Sequence, residues 1–155
     1  SRSPETDAAG ATLSGEGVGM KRAVAVVVFA VIAGSLTGCT TQSCASWVSY
    51  ESDEERAAGS QAVVVTSSVE PDGTARIMDY DTNTYLVTVD AAEKGDIAVG
   101  DRIRVASTAD ACSPSPYGDA GGDPMLGPTP LRLFLYDEGG IWRTITPFDG
   151  VRPAS

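Results

Sequence analysis

Three cysteines, Cys39, Cys44 and Cys112, carry the most distinctive chemistry in a chain of 155 residues that contains no histidine. A thiol can be alkylated by a lipid, bridged to a second thiol, or ionised to a nucleophile, and its neighbours decide which. Without histidine, the usual general base of nucleophilic triads is missing, as are the commonest zinc and haem ligand and the simplest switch near neutral pH. Most hydrolase templates are thereby excluded, and neither a cofactor nor a metal is expected. Carboxylates are plentiful. Glu51, Asp53, Glu54 and Glu55 form one cluster, but their spacing matches no EF-hand loop and a solvated helix start accounts for them. Asp119, Gly121, Gly122 and Asp123 form another, which reads as a turn. In so acidic a chain, carboxylate pairs carry little weight as a glycosidase signature. Lys94, the only lysine after residue 38, stands beside Gly95 and fits a turn better than a catalytic amine. No catalytic residue emerges, and the chain reads as non-enzymatic.

The surroundings of Cys39 single it out. Met20, Lys21 and Arg22 open a cationic stretch, and Ala23 to Gly34 follow as an apolar or small-residue run before Ser35, Leu36, Thr37 and Gly38. This is the layout of a signal peptide. The run to Gly38 is about 16 residues, short of the roughly 20 that a membrane-crossing helix needs. An Ala/Val run with no polar face also fits a core helix poorly. The tetrapeptide Leu36-Thr37-Gly38-Cys39 resembles the lipobox of bacterial lipoproteins. That resemblance implies that the Cys39 thiol is diacylglycerated and that the bond before it is cut. Two acyl chains hold a protein on a membrane durably where one is marginal. The expected organisation is a disordered or untranslated extension over 1–19, with translation starting at Met20, then a signal peptide over 20–38 and a lipid-anchored tether over 39–43. The protein is thus expected on the extracytoplasmic face of the cell membrane.

Lysine and arginine number 11 against 21 aspartates and glutamates, a net charge of −10, and residues 39–155 hold 8 of the cations and 18 of the acids. Such a surface repels phosphate backbones, so nucleic acid is excluded as a partner, and an envelope protein or glycan is the better expectation. With Cys39 assigned to lipid, Cys44 and Cys112 remain as an even pair in an exported chain, which predicts a disulfide. The bridge closes a loop of about 69 residues, and constraining the unfolded chain that much contributes roughly 4 kcal/mol. No Cys-x-x-Cys spacing suggests redox work. Only Thr40, Thr41, Gln42 and Ser43 separate Cys39 from Cys44, a reach of at most about 14 Å.

The elements that must position these residues are short. Ser52-Asp53-Glu54-Glu55 reads as a capping box opening a helix that ends near Gly59. Beyond it the pattern is strand-like: Gln61 to Val69, a turn at Asp72-Gly73, a short strand or loop at Arg76 to Asp81, and Thr84 to Ala91 with Tyr85, Val87 and Val89 on one face. A turn at Lys94-Gly95-Asp96 precedes Asp101 to Ser107, where Ile103 and Val105 point inward and Arg102 and Arg104 outward. Residues 113 to 130 carry five prolines and four glycines and must form a surface loop. Leu131 to Tyr136 and Ile141 to Ile145 flank Asp137-Glu138-Gly139-Gly140, the strongest hairpin signal in the chain. The expected fold is all-β, a small five-stranded OB-like barrel over 44–150 with one short N-terminal helix and a disulfide, followed by a tail over 151–155. Closure is expected because an open sheet of this size leaves long edges. An immunoglobulin-like sandwich is disfavoured by too few strands between the cysteines.

The order of Cys44, a short helix, a Val-rich first strand, Tyr85-Leu86-Val87-Thr88-Val89, Lys94-Gly95, Ile103-Arg104-Val105, Cys112, Leu133-Phe134-Leu135-Tyr136 and a Gly-turn hairpin to Trp142 resembles the netrin-module and tissue-inhibitor-of-metalloproteinase-like domains. The resemblance spans roughly Ser43 to Phe148 and implies a five-stranded OB barrel. Protease inhibition in that family uses the free amino group of an amino-terminal cysteine and further disulfides. Here Cys39 is expected to carry lipid, the additional cysteines are missing, Ser113 follows the mid-domain cysteine, and Thr146-Pro147-Phe148 occupies the tail. The inhibitory mechanism is therefore not implied. A protease inhibitor-like or cell-envelope enzyme role stands as the alternative to a binding module. Aromatic residues from Trp47 to Phe148 outnumber what so small a core would hide, which suggests that some face a partner.

Overall fold

The computed structural model describes residues 44–118 and 121–154. The expectations for Leu36, Thr37, Gly38 and Cys39, the boundaries at 19 and 38, and Asp119 all lie outside the described residues. In chain order the elements are helix α1 (Asp53–Gly59) and strands β1 (Ala62–Thr66), β2 (Ser68–Ile77), β3 (Tyr80–Thr88), β4 (Ala91–Lys94), β5 (Arg102–Ala106), β6 (Leu131–Asp137), β7 (Trp142–Thr144) and β8 (Val151–Pro153). A 3-10 turn at Pro124–Leu126 interrupts the long loop before β6.

Helix α1 starts where its cap dictates. Ser52 Oγ accepts the Glu55 N–H at 3.2 Å, and three acids fill the first turn, where the helix dipole favours them. The Glu55 carboxylate reaches back to the Glu51 N–H at 2.9 Å, one residue before the position of a reciprocal capping box. Seven residues cannot hold a helix alone in water. Tertiary contacts hold this one: Tyr50 and Ala57 pack on Val63, Phe134 and Ile145, and Lys94 Nζ donates to the carbonyls of Ala57 and Ser60 at 2.6 Å each. A cation on the last carbonyls is what the helix C-terminus favours.

The strands form a single open sheet in the order β2-β3-β5-β7-β6-β1-β4, with β8 also paired to β6. The closed five-stranded barrel expected from the sequence is therefore not what forms. Long runs read as single strands are interrupted. Ser67 alone separates β1 from β2, and Val89-Asp90 separate β3 from β4. Asp90 stabilises both breaks, its carboxylate accepting from Ser67 N and Oγ at 2.6 and 2.7 Å while its N–H bonds Val65 O at 2.8 Å. The segment expected as a tail from residue 151 instead supplies β8, antiparallel to β6 in the register Leu131↔Pro153, Arg132↔Arg152 and Leu133↔Val151. Val151 is drawn into the sheet because its side chain joins the main core.

Asp72-Gly73 is no hairpin turn but lies within β2, where the register with β3 shifts between Pro71 and Thr74; Gly73, at φ +79°, supplies the bulge. The hairpin turn comes five residues later, at Met78-Asp79, with φ of 50° and 68° joining Ile77 to Tyr80. Two residues at positive φ match the twist of the flanking strands, which is why this turn type closes hairpins even without glycine. The Asp137–Gly140 turn forms as read, with Asp137 Oδ1 accepting the Gly140 N–H at 2.8 Å.

Alternation decides the core. Ala62 and Val64 of β1, Val87 of β3, Val105 of β5, and Leu131, Leu133 and Leu135 of β6 bury one face together with Tyr85 and Met125. Val63 and Phe134 point the other way, beneath α1, so β1 and β6 are covered on both faces. Burying each such side chain contributes about 1.5–3 kcal/mol. Between β7 and β8, Gly150 sits where a Cβ would lie 2.5 Å from Thr144 Cβ and 2.9 Å from Thr146 O, so only glycine lets the chain rejoin β6. The Cys44–Cys112 disulfide is present, with Cα atoms 5.8 Å apart, and ties the start of the domain to the long loop.

Candidate functional site

The long loop was legible as surface; its anchoring was not. Asp123 precedes Pro124 and caps the 3-10 turn, its Oδ1 accepting the Met125 N–H at 3.0 Å. The same oxygen accepts Ser107 Oγ at 2.6 Å. Oδ2 accepts Tyr85 OH at 2.7 Å, Tyr117 OH at 3.1 Å and Asn83 Nδ2 at 3.0 Å. Strand β3 contributes Asn83 and Tyr85, the residue that follows β5 is Ser107, and the loop itself supplies Tyr117 and Asp123. Five neutral donors on one carboxylate draw the loop onto the sheet.

This chemistry is that of an anchor. Both Asp123 oxygens are occupied by donors, leaving no lone pair aimed at a substrate. Burial, and then the neighbouring carboxylate, raise the Tyr85 phenol well above its ordinary range and push Tyr117 up to about 12, so both keep their protons at neutral pH. Neither is a nucleophile or base there.

The anchored turn lines a groove of about 420 Å³, with Pro124, Leu126 and Pro128 from the loop and Leu131, Val151 and Pro153 from β6 and β8 in its lining. Leu126 is 64% exposed, an apolar side chain held out by the turn. A smaller cavity of about 160 Å³ lies behind the β2–β3 hairpin among Trp47, Met78, Tyr80 and Pro116. The indole Nε1 of Trp47 is buried without a hydrogen-bond partner among the described residues. Of the two, the larger groove has the built wall.

The sequence-nominated acids are accounted for separately. Asp53 pairs with Arg56 at 2.8 Å and Arg132 at 3.2 Å, and Glu55 caps the chain before α1. Gly121 and Gly122 line the groove, while Asp123 is the anchor. Among the described residues no group of three His, Cys, Asp or Glu side chains converges as a metal site would require, and no helix is long and apolar enough to cross a membrane. Sequence reading missed Asn83, Tyr85, Ser107 and Tyr117 as partners of Asp123, since 6 to 40 residues separate them from it. The Asp-Pro pair that caps the turn was the available signal. Among the aromatic residues, Tyr85 and Phe134 are core, whereas Tyr136 and Phe148 are 40% and 41% exposed, the former under the Arg143 guanidinium at 5.0 Å.

The cations among the described residues are likewise engaged. Arg56, Arg76, Arg102, Arg104, Arg132, Arg143 and Arg152 each lie within salt-bridge distance of a carboxylate, and Lys94 caps α1. The surplus acids thus set the sign of the surface field. In comparisons with known proteins, no family model, no curated protein and no solved structure matches this chain.

Proposed function

We propose that the chain is a non-enzymatic lipoprotein of the bacterial envelope, whose domain is held at the extracytoplasmic face of the cell membrane through diacylated Cys39 and acts as a binding module. The observation that carries this reading is the Leu36-Thr37-Gly38-Cys39 tetrapeptide behind a cationic and then apolar stretch. The disulfide five residues downstream supports it, since such bridges persist in oxidising compartments. The anchored groove beside β8 supports a binding rather than a catalytic role. Its neighbouring carboxylate and phenols are committed to holding the loop.

The OB-like part of the reading rests on strand order alone. With β1 and β2 taken as one segment bent at Ser67, and β3 and β4 as one bent at Val89-Asp90, five segments follow. The first pairs the second, the second the third, the third the fifth in parallel, the fifth the fourth, and the fourth the first. Modules of the OB type are likewise partly open and built of five strands. The netrin-like resemblance is proposed at this level only.

Fractionation tests the tether. Full-length protein labelled with palmitate in a bacterial host is expected in the membrane fraction with the label, and Cys39→Ala is expected unlabelled and released. If Cys39→Ala stays in the membrane fraction as the parent does, the tether and the placement fail together.

A further inference from the structure

Among the described residues, strand β8 pairs with β6 alone and leaves its other edge without a strand partner. The Ala154 N–H bonds Pro130 O, and the Phe134 N–H bonds Gly150 O, both at 2.9 Å. With the register Arg132↔Arg152, antiparallel alternation makes residue 152 the one whose N–H and C=O point at β6. The N–H and C=O of Val151 and the C=O of Pro153 therefore point away from β6. Strand β5, which runs parallel to β7, would cover that edge if it continued, but after Thr108 the chain turns off into the long loop. All three β8 residues line the groove, together with the turn that Asp123 holds.

We propose that this groove takes an extended peptide segment of a protein partner, added as a strand along β8, with apolar side chains toward Leu126, Pro124 and Pro128 and with lysine or arginine at the alternate, outward positions. This inference rests on the binding-module reading and names its partner class. Three observations carry it. The backbone groups turned away from β6, which pair with no strand among the described residues, specify a strand, because main-chain donors and acceptors are what an edge offers. Apolar walls and the exposed Leu126 specify alternate apolar side chains. The charge balance specifies a basic partner. Arg152, the one basic residue among the described residues that line the groove, is drawn to Asp149 at 2.7 Å, and the other described cations are engaged elsewhere in a domain with surplus acid. Three strand residues span roughly 10 Å, so about three or four peptide residues engage. Pro153 has no N–H, so the ladder ends there.

The test uses the full chain in mild detergent and three blocked hexapeptides: alternating Val and Lys, the same sequence N-methylated at alternate residues, and alternating Val and Glu. Amide NMR is expected to show the Val-Lys peptide shifting and protecting Val151 and shifting residues 124–128. N-methylation, which removes peptide donors while keeping the side chains, is expected to weaken binding by about tenfold or more. The Val-Glu peptide should bind more weakly at low salt, with the gap closing as salt screens the charges. Leu126→Ala should weaken Val-Lys binding severalfold without altering the spectrum elsewhere. Equal binding of the N-methylated peptide overturns the proposal, as do shifts confined to other faces or no binding up to about 1 mM. Protection of Val151 by a concentration-dependent dimer without peptide also overturns it, the edge then belonging to a second copy. None of these outcomes touches the palmitate label or the fractionation, so the two readings fail separately.

Discussion

Asp149 and Asp123 each gather distant parts of the chain around one carboxylate, yet with opposite chemistry. Asp149, 6% exposed, faces charge: its Oδ1 accepts from Arg56 Nε and Nη2 at 3.2 and 2.9 Å and from Arg152 Nη2 at 2.7 Å. Burial works against the Arg56 guanidinium, but the hydrogen bonds and charges of Asp149 and Asp53 outweigh it and hold its pKa above the ordinary value. Asp123 faces only neutral donors. The first arrangement locks α1 against the chain leading to β8. The second holds a loop that would otherwise leave the sheet. A buried charge balanced by a charge is costly to half-remove, because the partner is left unpaired. A charge held by dipoles releases groups that water can satisfy once the loop lifts.

The largest effect should follow from breaking the charged knot. Asp149→Ala leaves the buried Arg56 with Asp53 as its one carboxylate partner among the described residues, beside the Tyr50 carbonyl, and is expected to lower unfolding free energy by about 3–5 kcal/mol in a denaturant titration. A loss under about 1 kcal/mol would erase the distinction drawn between the two carboxylates. Asp123→Ala is expected to cost less, about 2–3 kcal/mol, because its donors reach solvent as the loop detaches. Its signature should be local: faster proteolysis between residues 113 and 122 and altered amides around the groove, with α1 unchanged. Uniform destabilisation without local nicking would mean that the loop is held by its disulfide at Cys112 rather than by the hub.

The smallest effect sharpens the comparison through pH. Tyr117→Phe removes one of five donors and should cost about 1 kcal/mol at neutral pH. The fold keeps the Tyr117 proton up to about 12, whereas an unfolded tyrosine loses its proton near 10. The folded form therefore binds more protons in that interval, and the stability tied to this tyrosine is complete below about pH 10 and lost as pH climbs to about 12. Thermal melts across that interval should fall less steeply for Tyr117→Phe than for the parent. An identical slope would remove Tyr117 from the hub.

What the sequence disclosed follows from the range of the interaction involved. The cap at Ser52, the turn at Asp137–Gly140 and the inward Val105 are settled within a few residues, and all three were readable. The disulfide was readable because so few cysteines remained to pair. Asp72-Gly73 misled because a glycine at positive φ serves a bulge as well as a turn, and only the pairing with β3 decides. Met78-Asp79 hid because neither residue is glycine, and the hairpin imposes its twist on them. Barrel closure was inferred from the cost of free edges, yet β8 keeps such an edge, shielded in part by a turn of the loop. The groove was invisible for the same reason as the hub: its walls are brought together by contacts between residues far apart in the chain.

Ser67 leaves the molecule little freedom to grow. A single residue hands the chain from one ladder to the other, with its amide and hydroxyl both committed to Asp90. An extra residue on either side would exchange the two faces of one strand, turning the β1 valines onto neighbours they do not fit or Val69 of β2 away from the main core. Lengthening by insertion is tolerable only where the chain reverses at an exposed tip, as at Asp79 or Gly139–Gly140. Any graft of a tag or epitope into this domain should begin at those tips.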